Sequence, residues 1–562
     1  MKLLLALVLP LFASGAEATL ILHHGKIVTA DSKFSIVEAI AVQGNRIIAT
    51  GPSDAVLRDY SGKGTELIDL KGKMVLPGLT DAHVHALWSG QSEFRGKLPP
   101  LDSYAAIQSY IRDQAAKTPK GQWIIVPRTF PTRLKEMRMP TREVLDVAPE
   151  HPVVFDASYV LVLNSKGLQV CGITRGTPNP PGGEIGKRAD GEPNGILRNA
   201  MALVKGVDVN GSFTHDEKLK ALEDQLHRYR AAGLTAIGDR AVTAEDIGLY
   251  NELHIQNRLP LRVVLTWRIN ASRPTDDLVA EIRSAPYTTN TGDDWLKFGT
   301  FKVTLDGGMT IGTAYQREPY GEFGKQLYGG DAGRGQLFIE PEKLFVIFRT
   351  AREKGWQLTA HDVGGGAIDN LLDAFEKLPG IAASRSHSMH ANFQNQASIA
   401  RTKKLGILVD AQPAWLEKDG PALAKVFGYD KMTYFLPLKS LMDAGVTVAG
   451  GSDHMIGHDK DTAVNPYNPF RGMWTAVTRR MHDGQVMHPE QRISREQALR
   501  MYTTAPAYLQ FSEDVRGSIE KGKFADLVVI DRDYLTCPEE QIKDIQPVLV
   551  VVDGKPTTPA SN

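Results

Sequence analysis

Leu76-Pro-Gly-Leu-Thr-Asp-Ala-His-Val-His85 is the stretch on which the reading of this chain turns. An apolar run meets a Pro-Gly break and then sets two imidazoles, His83 and His85, two residues apart. In an extended backbone, positions i and i+2 project from one face, so both rings can grip one cation. A His-x-His pair standing alone reads more simply as a strand end with two satisfied histidines. Partners further along the chain change those odds.

Beyond that stretch, strand-like runs alternate with helical patterns, the arrangement of parallel βα units. The clearest runs are Leu234-Thr-Ala-Ile-Gly-Asp, Leu261-Arg-Val-Val-Leu-Thr, Leu296-Lys-Phe-Gly-Thr-Phe-Lys-Val-Thr-Leu, Trp356-Gln-Leu-Thr-Ala-His, Ile407-Leu-Val-Asp-Ala and Val446-Thr-Val-Ala-Gly-Gly. Helices are expected over residues 216–232 and Pro341–Lys354. A closed barrel would collect the strand ends on one face, where catalytic groups of that architecture sit. An open doubly wound sheet is the rival.

Polar residues recur at these strand ends: Lys302, His361, His390 and Asp453. Each alone has a plain structural explanation, such as a snorkelling lysine or a helix-capping aspartate. Their recurrence is the informative feature. Four imidazoles and a carboxylate suit zinc and its neighbours in the first transition row. Burial disfavours a charged lysine, and a neutral Lys302 amine can add carbon dioxide. The carbamate so formed is an anionic oxygen ligand able to bridge two metals.

Both chain ends read as β-structure. Thr19-Leu-Ile-Leu-His-His-Gly-Lys-Ile-Val-Thr and Ala39-Ile-Ala-Val-Gln-Gly-Asn-Arg-Ile-Ile-Ala-Thr-Gly are strand-like, with Gly44-Asn45 as a hairpin tip. Val548-Leu-Val-Val-Val-Asp-Gly has the same character. A small composite domain built from both termini is expected. His23 and His24 are adjacent, so a strand would point them to opposite faces and they are not read as co-ligands.

With 562 residues and 42% hydrophobic content, the chain can bury a large core and more than one structural unit. Its 65 basic residues balance 65 acidic ones, so overall charge recommends neither nucleic acid nor an anionic membrane as partner. Residues 1–18 join one lysine to an apolar run ending in small residues, the layout of an export signal. The run is too short for a spanning helix of roughly 20 residues. The expected location is therefore exported, periplasmic or secreted, with no stable membrane insertion after signal cleavage. Cys171 and Cys537 are far apart in sequence, and no disulfide is expected.

Leu76 to His85, the lysine strand running into Asp306-Gly-Gly, the later histidines, Gly451-Ser-Asp453 and Gly517-Ser-Ile-Glu-Lys-Gly-Lys-Phe-Ala-Asp-Leu-Val-Val together resemble the metal-dependent amidohydrolase superfamily. Asn164-Ser165, Pro181-Gly-Gly, Gly191-Glu-Pro-Asn-Gly-Ile-Leu and Gln412-Pro413 are similar to amidohydrolase family three, the branch that includes N-substituted formamide deformylases. The likeness runs from about Thr19 to the last strand.

The resemblance implies a distorted (β/α)8 TIM barrel carrying a small β-sandwich domain formed from both chain ends. The sandwich is placed at residues 19–77 and 505–562, and the barrel at 78–504 with an insertion at about 92–205. Residue by residue, it implies His83 and His85 as first-strand metal ligands and Lys302 as the carbamate-forming bridge. His361 and His390 match the later imidazole ligands, and Asp453 the last-strand ligand and general acid/base. His387 competes with His390, but Arg385 and Ala391 keep the family register around His390, with Met389 in place of the usual glutamate. Tyr159 stands where a histidine is expected and is assigned a substrate contact. His361 is followed by Asp-Val-Gly-Gly-Gly instead of the commoner Gly-Asp context. His454 reads as a supporting residue, and the glycines at 364–366 lack the spacing of a phosphate loop.

The implied cofactors are a divalent metal, zinc, with two ions favoured over one, and a carbon dioxide-derived carbamate on Lys302. The implied activity is hydrolysis of a non-peptide carbon–nitrogen bond in a small amide, formamide, lactam or N-acyl amino compound. Ester or lactone hydrolysis, isomerisation, and a non-catalytic ligand-binding barrel are the alternatives. Retention of Asp453 argues against the last. A homo-oligomer stays open.

Overall fold

The computed structural model describes residues 17–207 and 211–559, so the expected export signal lies outside the described residues apart from Glu17 and Ala18. Eight parallel strands form one sheet: β1 (Leu79–Val84), β2 (Leu234–Val242), β3 (Arg262–Arg268), β4 (Leu296–Thr304), β5 (Gln357–Asp362), β6 (His387–His390), β7 (Leu408–Ala411) and β8 (Val448–Gly450). Neighbours in the sheet follow chain order. Just beyond β8 the ring closes onto β1: the Asp453 N–H donates to the His83 carbonyl at 2.7 Å and the His85 N–H to the His454 carbonyl at 2.9 Å. The doubly wound alternative is thereby excluded.

Helices cover the outside of this barrel because their apolar positions recur at helical spacing. Pro341–Lys354 buries Leu344, Ile347, Phe348 and Ala351, with proline in its first turn and Gly355 in the left-handed region ending it. The helix expected over 216–232 is His215–Ala231. It opens with a capping box in which the Thr214 hydroxyl accepts from the Glu217 N–H and Glu217 accepts from the Thr214 N–H.

The Pro-Gly break separates two strands with different duties. Met74–Pro77 belongs to an outer six-stranded sheet, where it pairs antiparallel with Leu527–Ile530 and parallel with Lys26–Val28. Gly78 then carries the chain into β1, and a Cβ there would stand 2.2 Å from the Thr235 hydroxyl oxygen. Only glycine permits that approach. A four-stranded sheet of Leu20–His23, Ala39–Gln43, Arg46–Gly51 and Glu66–Asp69 packs on the six-stranded one. Leu22, Ile40 and Val42 from the first sheet and Val75, Leu527 and Val551 from the second share a buried core. The two chain ends thus form a β-sandwich beside the barrel.

Between β1 and β2 the chain builds a further five-stranded sheet, from Ile124–Val126 to Pro193–Arg198, with its own apolar core around Ile107, Phe155, Val162 and Ile196. The hairpin joining Val153–Ala157 to Val160–Leu163 carries Tyr159 toward the barrel mouth.

One expectation fails outside the barrel. His23 and His24 do not point apart: the strand ends at His23, His24 turns left-handed at φ 54°, and the two Nδ1 atoms stand 2.9 Å from each other. Period-two alternation holds only while the backbone stays extended. Cys171 and Cys537 are both free, as expected. No helix among the described residues is long and apolar enough to cross a membrane.

Candidate active site

The expected ligands meet at the carboxyl ends of the barrel strands, where β1 and β8 close the ring. His83 and His85, two residues apart, both reach Asp453: its Oδ1 lies 3.2 Å from His83 Nε2 and 3.0 Å from His85 Nε2. The His390 ring lies 4.9 Å from that of His83 and 4.6 Å from that of His361, centroid to centroid. Lys302, on β4, lines the same cavity as His85, His361 and Asp453 and is only 4% exposed. Four of the six residues named from the sequence, His85, Lys302, His361 and Asp453, thus line one cavity, and His83 and His390 adjoin them. His387 lies lower on β6, its ring nitrogens buried and without hydrogen-bond partners, while His390 stands at the strand's open end.

Neighbouring side chains fix the ring orientations. Asp306 Oδ1 faces His361 Nδ1 at 3.1 Å, Gln412 Oε1 faces His390 Nδ1 at 2.7 Å, and Asp410 Oδ2 lies 3.3 Å from His83 Nδ1. Each contact occupies Nδ1, the arrangement that supports metal-binding histidines. Gln412 Nε2 also donates to Asp410 Oδ1 at 2.9 Å, which sets the amide so that its oxygen meets His390. His83 Nε2 is fully buried and has no hydrogen-bond partner.

The donor set fits a divalent ion. Tetrahedral zinc with bonds of about 2.0–2.1 Å holds its ligand atoms roughly 3.3 Å apart, close to the 3.0 and 3.2 Å separations at Asp453 Oδ1. The charges agree. Burial drives the His83 imidazole down, but Asp410 and Asp453 outweigh it and leave the pKa raised. Burial pushes the Asp453 carboxyl up, and His83 and His85 reverse this to hold it well below the carboxylate range. The cup thus attracts positive charge. Burial also lowers the Lys302 ammonium to about 7 against the opposing pull of Asp453, with Arg268 and Arg240 adding to the depression.

Backbone strain concentrates here: His390 has φ 78° and Asp453 φ 54°, left-handed conformations uncommon outside glycine. Above the cup lies a cavity lined by Trp88, Tyr159, Met309 and Trp415. Trp88 stacks on His85 at 4.7 Å and Trp415 on His390 at 4.9 Å. Tyr159 sets its ring edge against His361 at 5.5 Å, and burial pushes its phenol up to about 12.

Sequence reasoning gave no role to Asp306, Asp410, Gln412, Trp88, Trp415 or Arg268. The usable signal was a charged or amide residue in an otherwise apolar strand, as at Asp410 in Leu408–Ala411. His454 is a buried strut: its Nδ1 meets the Tyr229 hydroxyl at 2.8 Å and its Nε2 meets the Gly457 carbonyl at 2.7 Å. The 364–366 glycines form no phosphate loop, because Asp306 already accepts from the Val363 and Gly364 N–H groups at 3.0 and 2.8 Å.

A family model described as the amidohydrolase family matches residues 66–558. An N-substituted formamide deformylase from Arthrobacter pascens is 30% identical over 95% of this chain and 97% of its own length. The putative amidohydrolase YtcJ of Bacillus subtilis (strain 168) is 27% identical over 95% of this chain and 98% of its own. Among solved structures, an uncharacterized metal-dependent hydrolase from Pyrococcus furiosus shares the fold with a TM-score of 0.66 at 24% identity, covering 92% of this chain and all (100%) of the other. A match over residues 66–558, which takes in the barrel, the six candidate site residues and the later part of the sandwich, means that the chain belongs to the amidohydrolase family, hydrolases of carbon–nitrogen bonds other than peptide bonds.

Proposed function

We propose that the protein hydrolyses a small amide, formamide, lactam or N-acyl amino compound, with His83, His85, Lys302, His361, His390 and Asp453 holding divalent metal. Zinc suits the imidazole-rich set, and a Lys302 carbamate favours two ions over one. When bound, the metal supplies Lewis acidity, which lowers the pKa of water and polarises a carbonyl.

The chain's own groups do the rest. Asp453, held between His83 and His85, accepts the proton of the attacking water at Oδ and returns it to the departing nitrogen. Asp410, Gln412 and Asp306 keep the three imidazoles from turning away during these transfers. Tyr159 offers a hydroxyl that burial keeps protonated, and it donates to the substrate from the insertion side. Trp88 and Trp415 shield the cup from bulk water. The signal-like layout of residues 1–18 supports a periplasmic or secreted location for this activity.

The observation that carries this reading is the set of three imidazoles, each engaged at Nδ1 by a different polar side chain, gathered beside His85 and Asp453. The test combines metal analysis of the purified protein with a screen of formamides, N-acyl amino acids, cyclic amides and lactones. Bound zinc-like metal and turnover of a carbon–nitrogen substrate are expected. Turnover of lactones alone would overturn the bond assignment.

A further inference from the structure

The cavity above the cup is lined by three cationic side chains, and they differ in what answers their charge. Arg133 is neutralised by Asp419, whose Oδ1 and Oδ2 accept from Nε and Nη2 at 3.1 and 2.8 Å. Lys302 belongs to the ligand set. Arg268, the last residue of β3, has no such answer. Among the described residues its guanidinium makes no hydrogen bond and meets no carboxylate within 4.0 Å. Asp246, which feels its charge, already accepts from the Thr243 N–H at 2.8 Å.

Its position is set by the barrel. Arg268 registers with Lys302 on β4, so both side chains leave the sheet toward the cavity. The guanidinium centre lies 5.7 Å from the Trp88 ring, and Trp88 stacks on His85. One indole therefore touches both the cation and a ligand of the cup. Around them Phe130, Met309 and Ile311 present apolar walls, which strengthen an ionic contact relative to open water. A partly buried guanidinium without a partner is a standing cost, and its planar fork matches a carboxylate with two parallel bonds.

We propose that Arg268 receives an anionic group of the substrate, making the substrate class acidic carbon–nitrogen compounds such as N-acyl amino acids. This rests on the hydrolase reading above. The substrate lies across Trp88, its scissile carbonyl over the cup and its carboxylate on Arg268. A carbamate on Lys302 is the rival anion for the same guanidinium, and metal content separates the two.

The test compares N-acetyl and N-formyl amino acids with their uncharged N′-methylamides, using zinc-loaded wild type, Arg268→Met and Arg268→Lys. In Arg268→Met the ratio of kcat/KM for the acid to that for its amide falls roughly 10- to 100-fold, the size of a lost charge-assisted hydrogen bond. The fall resides in KM, bound zinc per chain equals wild type, and Arg268→Lys recovers part of the ratio. Equal falls for acid and amide, loss of zinc, or a wild type that prefers the amide would each overturn the assignment. If wild type hydrolyses neither, the carbon–nitrogen reading fails, and calorimetric binding of the same acids decides alone. Acid binding that is lost in Arg268→Met upholds the anion site, and acid binding indifferent to the variant overturns it.

Discussion

The backbone N–H of Asp453 donates to the carbonyl of His83 at 2.7 Å while their side chains face each other at 3.2 Å. The bond that closes the barrel and the contact that forms the cup therefore involve the same two residues. Because the closing bond is made by backbone atoms, substituting either side chain leaves that bond in place.

Asp453→Asn is expected to fold, because asparagine tolerates the left-handed backbone at φ 54°. It should lose about 10²- to 10⁴-fold in kcat, the usual worth of a positioned acid/base. Turnover assayed beside bound metal checks this, with metal largely retained. Near-normal kcat would remove Asp453 from the proton transfers.

Gln412→Leu removes the acceptor facing His390 Nδ1 while leaving all six candidate ligands in place. Metal affinity is expected to fall about 10- to 100-fold, the usual effect of losing such a support. Competition with a chromogenic chelator measures it, and unchanged circular dichroism shows that the fold persists.

Stripping divalent ions should abolish turnover, and zinc with bicarbonate should restore it. Lys302→Arg should resist reconstitution under the same conditions, since a guanidinium does not lose its proton to form a carbamate. Full activity in thoroughly stripped wild type would sink the metal assignment.

Lys297 supplies a pH test away from the cup. Its Nζ donates to the Ser512 hydroxyl at 2.8 Å, and burial first, then Arg516, lowers its pKa from 10.5 to about 8. Between those values the unfolded chain binds more protons than the folded one, so stability rises with pH. Relative to Lys297→Met, wild type should gain in Tm as pH is raised from about 8 to 10.5, and should show no such gain below that window. A difference independent of pH would contradict the shift.

Much of the barrel was legible because β4 and β5 are apolar runs ending in polar residues, and Pro341–Lys354 repeats at helical spacing with its own start and stop residues. β6 was harder. His387-Ser-Met-His390 is mostly polar yet wholly buried, because its side chains meet other polar groups inside the barrel: Asp362 accepts from the Ser388 hydroxyl, and Gln412 faces His390. The candidate ligand histidines could be named from local motifs and the family resemblance. The roles of Asp306, Asp410 and Gln412 could not, because they arise from partners brought together by the ring across the sheet. His24 was misread because a single left-handed residue cancels the alternation on which the reading relied.

Tyr159 and Phe130 reach the reacting space from a sheet with its own apolar core, while the ligands come from the barrel strands. One wall of the chamber thus comes from a different sheet than the floor, and the two are tied through Ile311 and the Arg133–Asp419 pair. Reshaping that wall away from those ties can retune which molecules are admitted while the machinery beneath stays in register.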